Sequence, residues 1–325
     1  MTSYYIGHAT DNQIRYASSS GGVGTAITKY LFSLPEYGTS ITFVFDQRAC
    51  MYIPKMIYSA NEINICGSIY QDINLIEFIR DNIKNIKEGI VLTCAPCHVT
   101  AIRQLLNKHK IKNFILSFSC SGQTTIEGTW CFYRFIGIKK EDVLHMQYRG
   151  NGWPSGIQIQ TIENKTLFFK NYTEPWATIH RSWLFRPRRC FYCKRDTGNN
   201  ADISLADPWL KDYLDNDRIG NTLFNVNTEL GANILKVMIN NNLINYNTVD
   251  LNTYSAAQKN NILKGKHLYE FKLAYKILDL LSNNKFYNKC AHSSFTIMKA
   301  HNHLFNFLKK ISKWRYKTNK PTANL

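Results

Sequence analysis

Gly89–Leu106, GIVLTCAPCHVTAIRQLL, reads as a strand that stops at a cysteine and turns at once into a helix. Gly89–Leu92 is the strand and Val99–Leu106 the helix, with Cys94-Ala-Pro-Cys97-His98 filling the junction. The second thiol of that junction sits near a helix N-terminus, where the dipole favours thiolate. Asn113–Ser119 repeats the pattern: a further strand, ending in Cys120-Ser-Gly. Two strand ends that each present a cysteine are what an open α/β sheet offers at its functional edge. The expected fold is therefore α/β, a mixed sheet of the α+β kind with flanking helices and a helical C-terminal region.

On the N-terminal side, Ser18–Thr25 (SSSGGVGT) runs into AITKYLFSL. A Ser/Gly turn entering a helix leaves backbone N–H groups that suit a phosphate or pyrophosphate, although a plain N-cap with flexible entry reads equally well. It lacks the Gly-Lys-Ser/Thr of a Walker A loop and the leading strand of a dinucleotide fingerprint. Ile41–Phe45 reads as a strand and Leu75–Ile86 as an amphipathic helix. Beyond Cys120, Val143–Gly156 reads as strand and turn. Arg149 and Trp153 there could bind an anion and stack on a flat ring, or serve as surface charge and core. Strands are expected at Ile157–Ile162, Thr166–Phe169 and Thr222–Asn227, with mostly helix from Gly231. The division drawn from this is a sheet domain over residues 1–245 and a basic helical region over 246–325.

Trp183–Trp209, WLFRPRRCFYCKRDTGNNADISLADPW, carries the densest chemistry. Cys190 and Cys193 form a Cys-x-x-Cys whose tight turn brings both sulfurs to one side, able to grip one metal or one cluster edge. Arg186, Arg188, Arg189, Lys194 and Arg195 surround it and should lower the thiol pKa values; Asp196, Asp202 and Asp207 follow.

The chain has 325 residues, 44% of them hydrophobic, enough for a real core. Nine cysteines in a chain of this length are unlike a disulfide framework and fit metal, cluster or redox use, or packing. No apolar run is long enough to span a bilayer and the opening residues are not a signal peptide, so a cytoplasmic protein is expected. The net charge of +17 suits polyanions, membrane surfaces or acidic partners. No acidic residue follows Asp279, while nine Lys or Arg do. The tail from Phe295 to Lys317 places Ile297, Leu304, Leu308 and Ile311 on one helical face. That face should either pack on its own domain or rest on an anionic membrane or partner.

Six landmarks, in order, resemble the beta subunit of coenzyme F-420 hydrogenase/dehydrogenase and its bacterial relatives: SSSGGVGTAITKYL, VLTCAPCHVTAIRQL, SFSCSG, YRGNGW, FRPRRCFYCKRD and ADISLADPW. The resemblance spans roughly Tyr4 to Leu235. It implies a flavoprotein with FAD and one 4Fe–4S cluster, passing electrons between a ferredoxin-like donor or partner subunit and a small or glycan-linked substrate, in the manner of relatives tied to polysaccharide biosynthesis. Carried across, the cluster ligands are Cys97, Cys120, Cys190 and Cys193, with Cys94 a spare. Ser19, Ser20, Gly21, Gly22 and Thr25 would line the FAD phosphates, with Arg103 and Arg149 as further candidates. Asp202 and Asp207 match the Asp-rich close of the pattern. No general acid is assigned.

The chain departs from the resemblance in two places. It has no cysteine before Cys50 and so no ferredoxin-like N-terminal segment, which makes a separate donor necessary. Ala206-Asp207 also stands where the pattern has Gly-Asp. On chemistry alone four cysteines suit structural zinc equally well, which would make a polyanion-binding protein; a dithiol at Cys94 and Cys97 would make a thiol oxidoreductase. Specific nucleic-acid binding is not expected, because aromatic and basic residues are rarely interleaved.

Overall fold

The computed structural model describes residues 3–193, 200–262 and 268–318. Its main sheet has eight strands in the order β11-β1-β10-β9-β5-β4-β2-β3. These are β1 (Ser3–Ala9), β2 (Thr39–Asp46), β3 (Met51–Ile57), β4 (Ile90–Cys94), β5 (Asn113–Phe118), β9 (Ile203–Ala206), β10 (Thr222–Val226) and β11 (Ile244–Val249). The four central strands, β9, β5, β4 and β2, are parallel, and antiparallel strands flank them on both sides.

The near-continuous apolar runs of β4 and β5 follow from burial on both faces. Alternation sends Val91, Phe114 and Leu116 to one face, against Val23, Ile27 and Leu31 of α2 (Val23–Phe32) and Leu235 and Met238 of α9 (Glu229–Asn240). Ile90, Leu92 and Ile115 go to the other, against Leu75 and Ile79 of α3 (Leu75–Asp81) and Val99, Ile102 and Leu106 of α4 (Val99–Lys108). The parallel register, Ile90↔Asn113 through Cys94↔Ser117 and Leu116↔Ile203 through Phe118↔Leu205, brings Cys94, Phe118 and Ala206 to a common edge.

A second, antiparallel sheet contains β6 (Val143–Gln147), β7 (Gly156–Thr161) and β8 (Thr166–Lys170). Met146, Ile157 and Ile159 pack there with Phe132 of α5 (Ile126–Phe135) and Trp176 and Ile179 of α6 (Trp176–Ser182). The chain closes in helices Lys272–Asn283, Lys285–Ser293 and Phe295–Thr318, and Tyr275, Leu278 and Phe305 cover Phe191 and Trp183.

Three expectations need correction. The division at residue 245 cuts β11, which pairs with β1 from Tyr4↔Val249 to Ala9↔Ile244, so the sheet runs to Val249. The helix from Leu75 stops at Asp81, where Asn82 closes it and a 3-10 turn at Ile83–Asn85 follows. The closing helix buries Met298, His301, Phe305 and Ser312, leaving Ile297, Leu304 and Ile311 exposed and only Leu308 of the expected face partly covered.

Burial pulls the pKa of His98, His145, His180, His292 and His301 below the ordinary 6.5. In the unfolded chain these rings protonate as pH falls through that value, while in the fold they resist. The unfolded state then binds more protons, so stability falls with pH below about 6.5. The melting temperature should therefore drop between about pH 7 and about pH 5. A flat profile across that window would show the rings to be solvated.

Candidate functional site

The common edge of the parallel strands opens into a cavity of about 1070 Å³. One wall is the loop into α2. Gly22 adopts a left-handed φ of 75° at the N-cap, and no side chain caps the helix. Val23, Gly24 and Thr25 line the cavity, so the first-turn N–H groups of α2 are available to an anion there. Ser19 and Ser20 join the lining; the Ser20 hydroxyl lies 3.1 Å from that of Thr222, and Ser68 donates to Ser19 at 2.8 Å. Gly21 lies behind the lining. A Cβ there would fall 2.5 Å from the Gly7 carbonyl oxygen, so its smallness lets two backbones meet.

Two arginines also line the cavity and differ in how their charge is met. Arg149, 3% exposed, donates to both oxygens of Asp207 at 2.7 and 3.0 Å and to the Ser19 carbonyl at 2.6 Å. Burial, the largest single effect, pulls its pKa down, but the charge and hydrogen bonds of Asp207 together with Tyr70 and Tyr172 hold it raised. Trp153 Nε1 donates to Asp207 at 2.9 Å, and Gln258 donates to the Asp207 carbonyl at 2.6 Å.

Arg186, 7% exposed, donates to the Gln123 carbonyl at 2.8 Å, to His180 Nε2 at 2.9 Å and to the His180 carbonyl at 3.0 Å. Its Nε has no partner. Among the described residues no carboxylate pairs with it. Burial lowers its pKa, and the groups that oppose this most are Cys190 and Cys120. Because the guanidinium donates to Nε2, the His180 proton sits on Nδ1 and is given to Thr124 at 3.2 Å.

The thiols come from separate elements. Cys97 precedes α4, Cys120 follows β5, Cys190 lies in α7 (Arg188–Phe191), and Cys193 comes just after it. Cys97 feels both Cys193 and Cys190, and Arg189 feels both Cys190 and Cys97. The expected lowering of thiol pKa does not hold at Cys97: burial and the Cys193 charge raise it against Arg189. Cys94 is buried, and burial pushes its thiol far up, which weighs against an exchange-active dithiol. Among the described residues no three His, Cys, Asp or Glu side chains are gathered closely enough to hold a metal ion. Lys194, Arg195 and Asp196 lie outside the described residues.

Arg103 and Asp202 are not brought to the cavity. Asp202 precedes β9 at the far end of that strand, where it pairs with Arg103 at 2.9 Å, accepts from Ile115 N at 2.8 Å and from Thr228 at 2.8 Å. Its oxygens are taken up in stitching strands and helices. The cavity instead draws on Tyr70, Tyr172 and His180, and on Asn302, Asn306 and Lys309 of the closing helix. Nothing local in the sequence marks these, since the fold alone brings them near the strand ends.

A mixed sheet whose parallel strands end at a large cavity lined by an uncapped helix start, thiols and buried arginines defines an α/β ligand- or cofactor-binding protein. Residues 87–251, half of the chain, match the family described as the C terminus of the coenzyme F420 hydrogenase/dehydrogenase beta subunit. The chain belongs to that family, which marks it as an oxidoreductase-type subunit. Its fold is similar to a chain of the F420-reducing NiFe hydrogenase complex from Methanosarcina barkeri, with a TM-score of 0.63 and 14% identity over 84% of this chain and 92% of that one. No curated protein matches the chain.

Removing Asp207 strands a buried guanidinium. Asp207→Ala should cost about 3–5 kcal/mol in urea unfolding, and Arg149→Met combined with Asp207→Leu should cost less than the sum of the two single changes. Strict additivity would mean that the two side chains do not act as a pair.

Proposed function

We propose that the chain is an iron–sulfur flavoprotein subunit, moving electrons between a ferredoxin-like donor or partner subunit and a small or glycan-linked substrate. Arg186 carries this reading. A buried guanidinium without a carboxylate costs several kcal/mol unless an anion is present, and the groups nearest in charge are Cys120 and Cys190. Four thiolates around 4Fe–4S iron carry net negative charge, so Cys97, Cys120, Cys190 and Cys193 would supply both ligands and counter-charge. The donor set fits in chemistry, being all sulfur.

For the flavin, the supporting features are the uncapped start of α2, the left-handed Gly22, and the Ser19, Ser20 and Thr25 hydroxyls beside a cavity roomy enough for a dinucleotide. FAD, when bound, would exchange an electron pair with substrate and single electrons with the cluster. Arg149 would hold the loop through Ser19 rather than bind phosphate itself, because Asp207 occupies its fork. The solved hydrogenase of similar fold is a complex, which favours delivery of electrons by a partner subunit.

Protein purified without oxygen should show flavin absorption and about four iron and four sulfide per chain. Serine at Cys97, Cys120, Cys190 or Cys193 should abolish iron loading, while Cys94→Ser should keep it. Arg186→Met should keep the flavin and lower cluster occupancy or the cluster reduction potential. A colourless protein with one zinc would overturn the redox reading in favour of a structural four-cysteine site.

A further inference from the structure

The closing helix, Phe295–Thr318, is about 36 Å long at 1.5 Å per residue. One side is fixed to the protein. Met298, His301, Phe305 and Ser312 are buried, His301 Nε2 meets the Ser182 carbonyl at 2.9 Å, and Ser312 donates to the Glu270 carbonyl at 2.9 Å. Asn302, Asn306 and Lys309 of the same helix line the cavity. Another side is left exposed. Ile297, Leu304 and Ile311 are exposed there, with Phe307 58% and Trp314 68% exposed. At 3.6 residues per turn these five positions fall within a stripe about 100° wide, turned away from the cavity-lining residues.

Cations border the stripe. Lys310 flanks it on one side and Arg315 on the other, both exposed and neither in an ion pair among the described residues. No acidic residue follows Asp279 anywhere in the sequence. We propose that this stripe docks the protein on an anionic membrane surface, with Ile297, Leu304, Phe307, Ile311 and Trp314 sunk at the headgroup boundary and the flanking cations on lipid phosphates.

A lipid surface fits better than a protein partner for two reasons. Protein interfaces are depleted in Lys, whereas here Lys310 and Arg315, neither in an ion pair among the described residues, border the ridge. The ridge is convex and linear, with aromatics among aliphatics, as in a helix lying in an interface plane. No helix among the described residues is long and apolar enough to cross a membrane, so the contact would be peripheral. The docked helix would stand as the wall between lipid and cavity, one helix diameter, about 10 Å, thick.

The test uses the full chain and vesicles of phosphatidylcholine, alone or with added phosphatidylglycerol. Wild type should sediment with the anionic vesicles only, and Trp emission should shift to the blue. Leu304→Ser/Phe307→Ser/Trp314→Ser and, separately, Lys310→Glu/Arg315→Glu should each weaken binding about tenfold or more, with melting temperature and cofactor content unchanged. The proposal is overturned if wild type ignores anionic vesicles or if either variant binds as well as wild type. It is equally overturned if duplex DNA is bound more tightly than the vesicles, or if wild type is a dimer that the serine variant breaks. Failure would leave cofactor loading untouched and so would not bear on the redox reading.

Discussion

The pairing of Arg149 with Asp207 is the constraint on which the site depends. Five segments meet at these two residues. Arg149 lies just beyond β6 of the small sheet, Asp207 just beyond β9 of the large one, and the Ser19 carbonyl belongs to the loop before α2. Trp153 brings in the turn before β7, and Gln258, which caps the end of the helix Leu251–Ala257, reaches the Asp207 carbonyl. A bidentate guanidinium–carboxylate pair fixes angle as well as distance, so it sets where the small sheet stands relative to the strand ends. The carboxylate matching a cofactor-type pattern in the sequence thus has a prior commitment. Its contribution to any ligand is indirect, through the loop it holds.

Arg186 shows the opposite arrangement, and the contrast between the two arginines defines the character of the cavity. Both are buried and both leave one Nε unpartnered. Arg149 has its counter-charge within the fold; among the described residues Arg186 meets carbonyls, a neutral imidazole, the Trp183 ring and the nearby thiols, but no carboxylate. Buried charge without a partner is destabilising, and such residues persist where a ligand restores balance. His180, kept neutral by burial and by the Arg186 charge, accepts from the guanidinium without adding a second positive charge. On the proposed reading, the anion that balances Arg186 is held by the thiols.

Much of this is legible in the sequence, and the exceptions have physical causes. The strands β4 and β5 announce themselves because burial on both faces makes them nearly continuously apolar; Cys94 closes the first, and Cys120 comes two residues after the second. β11, INYNTV, does not: as an edge strand with one side in solvent it exposes Asn245, Tyr246, Asn247 and Thr248, and its polarity hides it. β9 is four residues inside an acidic stretch, too short to show a period. Asp202 and Asp207 read alike in sequence, yet they stand at opposite ends of β9, and only three-dimensional register separates the structural one from the one at the cavity. The closing helix reads as amphipathic, but its sequence does not single out the face that is buried. Two apolar faces lie side by side on it, and the one with polar His301 and Ser312 is the one that packs, because both find backbone carbonyls.

The four thiols proposed as ligands stand on elements of unequal stability. Cys97 and Cys120 hang from α4 and β5, elements buried in the main core. Cys190 and Cys193 depend on α7, which has four residues and could not persist by itself. Side chains hold it from both ends. Arg188 grips Asp279 of the closing helices through two bonds of 3.1 Å, with Tyr192 adding a third contact to the same carboxylate at 3.0 Å. Arg189 pairs with Asp72 ahead of α3. Asp279, though largely buried, keeps a lowered pKa because Arg188 and Tyr192 outweigh the cost of desolvation. Arg188 and Arg189 therefore act first as anchors: they pair with Asp279 and Asp72, fix the short helix between the sheet and the closing helices, and leave Arg186 as the buried cation beside the thiols.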